Sequence, residues 1–287
     1  MATDKNKKIA FQGNPGAYSD IACRTVYPHY TPLPCPTFLD AFEALNQGRA
    51  DLAMIPIDNS IAGRVADIHY LLPRYPFSFI AEYFLPIDHC LLGVEGAKFA
   101  DIKKVLSHTH ALPQCRKIIR ENKWEQVVCG DTAGAAERVA REGNKHQAAI
   151  ASSLTADIYG LKIIKRNIAD EKNNITRFLA LSRDTSVSAP KKNTRYVTSL
   201  IFSVRNVSAA LYKAMGGFAT NGVNMLKLES YMPGGTFAST LFYAEVEGHQ
   251  KDANVAAALE ELAFFAREIR VVGSYAQDPS RKRIGKN

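Results

Sequence analysis

The stretch Asn173-Asn174-Ile175-Thr176-Arg177-Phe178-Leu179-Ala180-Leu181 sets a hydroxyl and a guanidinium at the start of an apolar run. Its period-two alternation predicts a strand whose first residues face a polar cavity. A threonine and an arginine at the start of a half-buried strand are usually ordinary surface residues. The importance of this stretch therefore depends on the segments that precede and follow it.

Upstream of this stretch, strand-like runs alternate with helical patterns, which is typical of βαβ units and a mainly parallel sheet. The predicted strands cover residues 8–13, 51–57, 103–107, 126–129, 148–151, 161–167 and 177–182. The predicted helices cover residues 19–26, 38–47, 65–72, 113–121 and 133–142. Together these elements predict an α/β domain.

Downstream, the polar stretch 183–194 contains Pro190-Lys191-Lys192-Asn193 and predicts a linker. The order of elements then changes. Strands are predicted at 198–204, 224–230, 237–246 and 269–275, and helices at 208–220 and 252–266. This is the βαββαβ order of a ferredoxin-like unit.

Composition indicates a globular protein of about two domains, because 46% of the 287 residues are hydrophobic and 22% are charged. The five cysteines form no C-x-x-C pair, and the seven histidines lack metal-ligand spacing. We therefore expect reduced thiols, no structural metal and no metal in the functional site.

The ends of the chain are polar and basic. No apolar signal region precedes the first predicted strand, and no run approaches the ~18 apolar residues of a membrane span, so we expect a cytoplasmic protein without membrane contact. Much of the net charge of +8 lies in residues 1–8 and 281–287. We interpret these as solvated tails rather than nucleic-acid arms, and the positive balance suits an enzyme with a small anionic substrate.

Four segments share one design, in which a strand ends, a loop of small and polar residues follows, and a helix begins. They cover residues 13–19, 56–63, 107–115 and 130–136. In open α/β sheets such loops line the ligand crevice, and helix N-termini there bind anions, which predicts a carboxylate ligand. The alternative is that Ser19, Ser60 and Thr132 are helix N-caps and loop hydroxyls, each of which stabilises a helix by about 1 kcal/mol without any ligand.

Nucleotide and serine-hydrolase motifs are missing from the sequence. Tyr18 occupies the place where Gly13-x-x-Gly16 would need a third glycine, and there is no G-x-x-x-x-G-K-[ST] loop. No G-x-S-x-G elbow is present either, so hydrolase chemistry is not predicted.

Taken together, the motifs resemble prephenate dehydratase in order and spacing. They are Gly13-Asn14-Pro15-Gly16-Ala17-Tyr18-Ser19, Pro56-Ile57-Asp58-Asn59-Ser60-x-x-Gly63-x-Val65, Ser107-His108-x-x-Ala111-Leu112-x-Gln114-Cys115, Thr132-Ala133-Gly134-Ala135-Ala136, Tyr159-Gly160-Leu161 and Asn174-x-Thr176-Arg177-Phe178. A second set resembles the amino-acid-binding ACT domain of that family: Leu211-Tyr212-Lys213-Ala214 and Phe218-Ala219-x-x-Gly222-Val223-Asn224-x-x-Lys227-x-Glu229-Ser230.

The resemblance implies a two-lobed, periplasmic-binding-protein-like (type II) α/β catalytic domain at 7–184, a linker at 185–195, a ferredoxin-like ACT regulatory domain at 196–276 and a basic tail at 277–287. It implies conversion of prephenate to phenylpyruvate, carbon dioxide and water in L-phenylalanine biosynthesis. No cofactor is expected, and L-phenylalanine is expected to regulate a homodimer or homotetramer.

The resemblance also implies roles for individual residues. The catalytic candidates are Thr176, Ser60, Asn59 and Asp58. The substrate-binding candidates are Arg177, Phe178, Ser107, Gln114, Thr132, Tyr18 and Ser19. The candidates for the phenylalanine site, formed between two subunits, are Ser208, Ala209, Leu211, Asn221, Asn224, Leu226, Glu229 and Ser230.

Chemistry suggests how the central pair would act. The Thr176 hydroxyl can donate to the departing hydroxyl, and Arg177 can hold a carboxylate through charge-assisted hydrogen bonds. Strand alternation puts these two side chains on opposite faces, so we expect a bulge or loop that brings both into the cleft. Protonated Asp58, His108 and His110 are alternative general acids. For the two histidines a structural role is the simpler interpretation.

The sequence departs from the family at two places. Asp58 replaces a glutamate, and Glu229-Ser230-Tyr231-Met232 replaces Glu-Ser-Arg-Pro. Other hypotheses are an arogenate dehydratase, a solute-binding protein without catalysis, and a ferredoxin-like unit used only for dimerisation.

Overall fold

The computed structural model describes residues 7–205, 207–232 and 240–281 of the chain. They fall into two units. The first contains the residues up to Val65 together with Tyr83–Phe178, and the second contains Ala66–Glu82 together with the residues from Leu179 onward.

Most of the predicted strands and helices are present in the described residues with similar bounds, whereas residues 31–35, 63–64, 78–86, 90–93 and 153–159 form further elements that were not predicted. The strands are β1 (Lys8–Gln12), β2 (Thr31–Cys35), β3 (Leu52–Asn59), β4 (Gly63–Arg64), β5 (Ser78–Pro86), β6 (Cys90–Gly93), β7 (Lys104–His108), β8 (Glu125–Cys129), β9 (Gln147–Ala151), β10 (Lys162–Lys165), β11 (Ile175–Ser182), β12 (Tyr196–Val204), β13 (Met225–Tyr231), β14 (Leu241–Glu247) and β15 (Ala266–Ala276). The helices are α1 (Tyr18–Val26), α2 (Phe38–Asn46), α3 (Ala66–Leu71), α4 (Arg116–Glu121), α5 (Thr132–Glu142), α6 (Ser153–Tyr159), α7 (Ala210–Thr220) and α8 (Ala253–Phe265). Short 3₁₀ helices cover Leu72–Arg74, Phe99–Asp101 and Leu112–Cys115.

Two sheets are built in the first two-thirds of the chain. One has the strand order β2-β1-β3-β11-β5 with β4 beside β3, and β1 runs parallel to β2 and β3. The other has the order β10-β6-β9-β7-β8, in which β7 is parallel to β8 and β9 while β6 is antiparallel to β9 and β10. The mixed α/β class is confirmed, although the second sheet is less uniformly parallel than expected.

Apolar side chains cover both faces of the second sheet. Leu91, Val105 and Ile150 pack with Trp124 on one face. On the other face lie Leu92 and Leu106, among others. Burial on both faces explains why these strands read as continuous apolar runs rather than as alternating ones.

The C-terminal elements follow the predicted βαββαβ order and form an antiparallel sheet in the order β13-β14-β12-β15. One face of this sheet packs against α7 and α8, with Phe202 and Phe218 in the shared core. Residues 237–239, where the third strand was predicted to begin, lie outside the described residues.

The opposite face of this sheet is covered by residues 66–82, which were predicted to belong to the catalytic domain. The His69 ring lies 5.2 Å from the Tyr243 ring, and the Phe79 ring lies 6.3 Å from the Tyr275 ring. Any Cβ at Gly273 would lie 2.2 Å from the Phe79 carbonyl oxygen, so the close approach of the two strands needs glycine there. Ala66–Glu82 therefore packs with the C-terminal elements, although it lies within the range 7–184 predicted for the catalytic domain.

The basic tail is not wholly solvated, in contrast to our expectation. Arg281 Nε donates to Glu82 Oε1 at 2.8 Å, and its guanidinium lies 3.7 Å from Glu245 Oε2. The Glu82 and Glu245 side chains are 0% and 1% exposed. Arg281 therefore neutralises two buried carboxylates, while residues 282–287 lie outside the described residues.

Replacement of Arg281 by methionine should destabilise the protein by about 3 kcal/mol or more, because it removes a cation that lies beside two buried carboxylates. Urea unfolding of the full chain measures this. The matched control is Arg138→Met, which removes an exposed pair with Glu142 on the surface of α5 and should shift the midpoint far less. Equal midpoints for the two variants would contradict the assignment.

Candidate active site

The Thr176 hydroxyl lies at the start of β11, beside the last residue of β3. Asn59 Nδ2 donates to Thr176 Oγ1 at 3.0 Å and to Asn174 Oδ1 at 2.7 Å. These bonds use both protons of the Asn59 amide, so Thr176 accepts from it. The proton of the Thr176 hydroxyl is left to donate, since this side chain has no other hydrogen-bond partner among the described residues.

The turn after β3 fixes the orientation of Asn59. Asn59 Oδ1 accepts from the backbone N–H groups of Ile61 at 3.0 Å and Ala62 at 2.7 Å. Ser60 Oγ donates to Asn173 O at 2.7 Å and accepts from Ile175 N at 2.9 Å. The Ser60 hydroxyl therefore holds the start of β11 against the turn, and both its hydrogen-bonding roles are occupied by the backbone.

The hydrogen bonds continue beyond Asn174. Asn174 Nδ2 donates to Gln114 Oε1 at 2.7 Å, and His89 Nε2 lies 2.8 Å from the same oxygen. His89 Nδ1 lies 2.9 Å from the Tyr18 hydroxyl. We call the connected series the polar chain; its members are Thr176, Asn59, Asn174, Gln114, His89 and Tyr18.

The polar chain passes through both connections between the β2-β1-β3-β11-β5 sheet and the β10-β6-β9-β7-β8 sheet. His89 lies between β5 and β6, where the chain leaves the first sheet, and Asn174 lies just before β11, where it returns. Ile87 N donates to Asn174 O at 2.8 Å, which ties the connections together. Both His89 and Asn174 are buried, so the polar chain links the two sheets through the protein interior.

Arg177 does not join Thr176, contrary to the expected bulge or loop. Residues 175–182 form a strand, and neighbouring side chains of a strand point to opposite faces. Asn59 and Thr176 accordingly meet on one side, while the Arg177 guanidinium is buried 3.7 Å from Asp58 on the other and lies 5.8 Å from the Phe84 ring centroid. The same alternation in β3 separates Asp58 from Asn59.

Other predicted substrate contacts are buried parts of the framework. Ser107 Oγ is buried and donates to Ile150 O at 2.6 Å, which joins β7 to β9. Phe178 is a core residue, and Ser19 is buried in α1. These three side chains support the site without lining it.

The N-cap alternative is wrong for Thr132 and Ser19. Asp131 caps α5 by accepting from Gly134 N at 2.8 Å, and Ala17 precedes α1. Thr132 is instead the first residue of α5. Because the Asp131 carboxylate already lies at this helix N-terminus, an anion there would have to approach a negative charge.

The loop after β1, residues 13–16, packs against α5 and α6. Asn14 Nδ2 donates to Glu137 Oε2 at 2.7 Å, and Tyr159 OH donates to Pro15 O at 3.0 Å. A Cβ at Gly16, where φ is +89°, would lie 2.7 Å from Thr155 Cγ2. Glycine is needed there for both conformation and space.

The histidines differ in their surroundings. Burial, and then the neighbouring His110, lower the pKa of His108, which keeps it neutral near pH 7. Burial also lowers the pKa of His89 and raises that of Tyr18 well above its ordinary value. Neither His108 nor His89 is therefore a strong proton donor near pH 7.

Sequence reasoning missed His89 and did not assign Asn174 a role. A lone histidine between two unpredicted strands carries no spacing signal. Asn174 stood inside a quoted motif, but its importance depends on three partners far away in sequence.

Two wider features frame the site. Among the described residues, no group of three or more His, Cys, Asp or Glu side chains could hold a metal ion. None of the helices in these residues combines the length and apolarity needed to cross a membrane.

Comparison with known proteins relates the chain to one family. The family described as PDT: Prephenate dehydratase matches residues 9–186. A bifunctional N-acyl-homoserine lactone acylase/prephenate dehydratase of Komagataeibacter europaeus is 47% identical over 96% of this chain and 98% of its own length. The arogenate dehydratase/prephenate dehydratase 1 of Arabidopsis thaliana is 38% identical over 96% of this chain and 73% of that protein. The crystal structure of prephenate dehydratase from Arthrobacter aurescens in complex with L-Phe is 30% identical, with a TM-score of 0.85 over 94% of this chain and 90% of that one.

Proposed function

Because this chain belongs to the prephenate dehydratase family, we propose that it converts prephenate to phenylpyruvate, carbon dioxide and water. The observation that carries the proposal is the Thr176 hydroxyl, whose oxygen accepts from Asn59 and whose proton is left to donate. That proton would meet the ring hydroxyl of the substrate as it leaves.

The reaction needs little from the protein beyond binding and charge stabilisation. The electron pair of the bond to the ring carboxylate enters the ring as carbon dioxide departs, and the ring hydroxyl leaves as hydroxide, which is then protonated to water. Aromatisation of the ring drives the step. A preorganised donor at the leaving oxygen can contribute about 3 kcal/mol, and Thr176 supplies it.

Gln114 is suited to hold a substrate carboxylate. Its Oε1 accepts from Asn174 and lies within hydrogen-bond distance of His89, so its NH₂ group is the part left for a ligand. Arg177, which we expected to bind the carboxylate, lies on the opposite side of β11, where its guanidinium faces the Asp58 carboxylate. We therefore assign direct binding to Gln114.

Arogenate remains an alternative substrate. It carries an amine where prephenate carries a keto group, and the Arabidopsis relative is named for both activities. The polar chain acts on the ring end of the molecule, which these two acids share.

A second candidate function is hydrolysis of N-acyl-homoserine lactones, because the Komagataeibacter relative is named for both activities and matches nearly the whole chain. Amide hydrolysis needs an activated nucleophile or a metal-bound water. Ser60, the hydroxyl nearest to Asn59 in sequence, is bonded to the backbone instead. The dehydratase reaction is therefore the first choice, ahead of the acylase and of solute binding without catalysis.

We further propose that the C-terminal unit is an ACT regulatory domain that binds L-phenylalanine between two copies of the chain. Ser208, Ala209 and Leu211 lie at the start of α7, whereas Asn221 and Asn224 follow its end. Eleven helical residues separate the two groups by about 16 Å. A single copy would not close both groups around one amino acid, which favours a homodimer or homotetramer.

The strand β13 carries the remaining effector candidates, Leu226, Glu229 and Ser230, on the edge of its sheet. An edge strand is open to pairing with a second copy. Glu229 already contacts Lys227 at 3.1 Å and His69 at 3.2 Å, so its carboxylate is held in place. The Arthrobacter complex with L-Phe supports the same ligand here.

Replacement of Thr176 by valine should lower kcat by about a hundredfold or more, because it removes the hydroxyl while keeping the shape of the side chain. Thr176→Ser keeps the donor and should retain most of the rate. Phenylpyruvate formation is the measurement, and circular dichroism checks the fold. Full kcat in the valine variant would remove Thr176 from this role.

Purified protein should form phenylpyruvate from prephenate without any added cofactor or metal. The assay is run beside arogenate and an N-acyl-homoserine lactone, and the ratio of kcat/KM values ranks the three. A higher kcat/KM for the lactone would replace the proposed function with the acylase.

L-Phenylalanine should inhibit the full-length enzyme, while D-phenylalanine at the same concentration should not. Glu229→Gln should raise the half-inhibitory concentration about tenfold, since a loss of ~1.4 kcal/mol in binding corresponds to that factor. Calorimetry on the whole protein measures binding directly. No heat at millimolar L-phenylalanine would contradict regulation at this unit, and the dehydratase assay would be unaffected by that result.

A further inference from the structure

We propose that His89 is a positioning residue for the dehydratase reaction: its Nε2–H fixes the carboxamide of Gln114 so that the NH₂ group of Gln114 faces the substrate. This inference rests on the proposed function. It adds a residue that acts through Gln114 and does not itself touch the substrate.

The backbone determines the direction of the hydrogen bonds from Asn59 to Gln114 in the polar chain. Ile61 N and Ala62 N can only donate, so the atom of Asn59 that faces them is its Oδ1. The Asn59 amide group then donates to Asn174, which must present Oδ1 and direct its own Nδ2 to Gln114. Gln114 must therefore present Oε1 at this junction.

The same reasoning fixes the tautomer of His89. Gln114 Oε1 is an acceptor, and His89 Nε2 lies 2.8 Å from it, so Nε2 carries a proton. In a neutral imidazole Nδ1 then carries no proton. It lies 2.9 Å from the Tyr18 hydroxyl, whose one proton is shared between this nitrogen and the Asp88 carbonyl oxygen, also at 2.9 Å. Burial favours the neutral ring because it lowers the pKa of His89.

Two donors on one oxygen hold the Gln114 carboxamide in a single orientation. With Asn174 alone, half of this constraint is lost, and a rotated carboxamide would turn its oxygen toward the substrate carboxylate. That would replace a hydrogen bond by repulsion between an oxygen dipole and an anion. The other end of the polar chain, Asn59 and Thr176, would lose part of its support as well.

The connection between the sheets makes this arrangement rigid. His89 O accepts from Ile168 N at 3.0 Å, and Gln114 O accepts from Asp170 N at 2.7 Å. The backbones on both sides of the His89 to Gln114 bond are therefore held by the returning segment of the chain. A side-chain change at 89 should alter the bond to Gln114 without moving the strands.

Two variants of similar size distinguish positioning from packing. A glutamine amide reaches about as far as Nε2 of histidine, and an asparagine amide about as far as Nδ1. His89→Gln should therefore keep the donor to Gln114 and stay within about threefold of the wild-type kcat/KM for prephenate. His89→Asn should lose it and fall tenfold or more. Equal losses in both variants, with intact folds by circular dichroism, would overturn the proposal.

A double-mutant cycle tests the route of the effect. If His89 acts through Gln114, then His89→Asn should cause little further loss of kcat/KM in a Gln114→Ala background. Losses that multiply would show that His89 acts independently of Gln114.

Nitrogen NMR of the His89 ring in the wild-type protein is a second test, and it does not depend on the folding of a variant. The Nε2–H form is expected, and the Nδ1–H form would overturn the proposal. Because dehydratase activity of the wild type is measured separately, failure of this inference is distinguishable from failure of the proposed function.

Discussion

The orientation of one carboxamide, that of Asn59, determines the arrangement of the site. Two backbone N–H groups in the turn after β3 face its oxygen, which leaves its nitrogen to donate to Asn174 and Thr176. Backbone groups cannot exchange donor for acceptor, whereas amide side chains can rotate. A short turn in the main chain therefore specifies the polarity of side chains as far as the connection between the two sheets, through a series of hydrogen bonds without a charged member.

A neutral polar chain suits the chemistry proposed for it. The substrate brings two negative charges and the step releases hydroxide, so buried carboxylates beside the reacting ring would oppose the reaction. Asp58 and its partner Arg177 lie on the opposite side of the strands, where their charges balance each other. Hydrogen bonds in a region of low dielectric are strong, and fully satisfied networks are rigid, so donors placed this way need little reorganisation when charge develops.

Much of the fold could be predicted, because an apolar run such as Ile9-Ala10-Phe11 indicates a buried strand and the order of apolar segments indicates the ferredoxin-like unit. Strand β2 could not, since Pro32 and Pro34 argue against a strand and are tolerated only because β2 is an edge. Four-residue β6 is buried throughout, which leaves no alternation to read. Because β5 and β6 were not predicted, the position of His89 between the two sheets could not be predicted either. Thr176, Asn59 and Gln114 were found through motifs, but the separation of Arg177 from Thr176 required the observed strand.

The pairing of Glu82 with Arg281 has a consequence for how this chain folds in time. The two residues are separated by 199 positions, and the sheet face near Tyr243 needs the segment from Ala66 to Glu82 as well as the strands near the C-terminus. On a ribosome, His69 and Phe79 emerge long before the sheet they cover has been made. Until then their side chains have no sheet to pack against and are exposed to solvent or to a chaperone. Because the contact closes a loop of 199 residues, we expect this unit to be completed late and slowly.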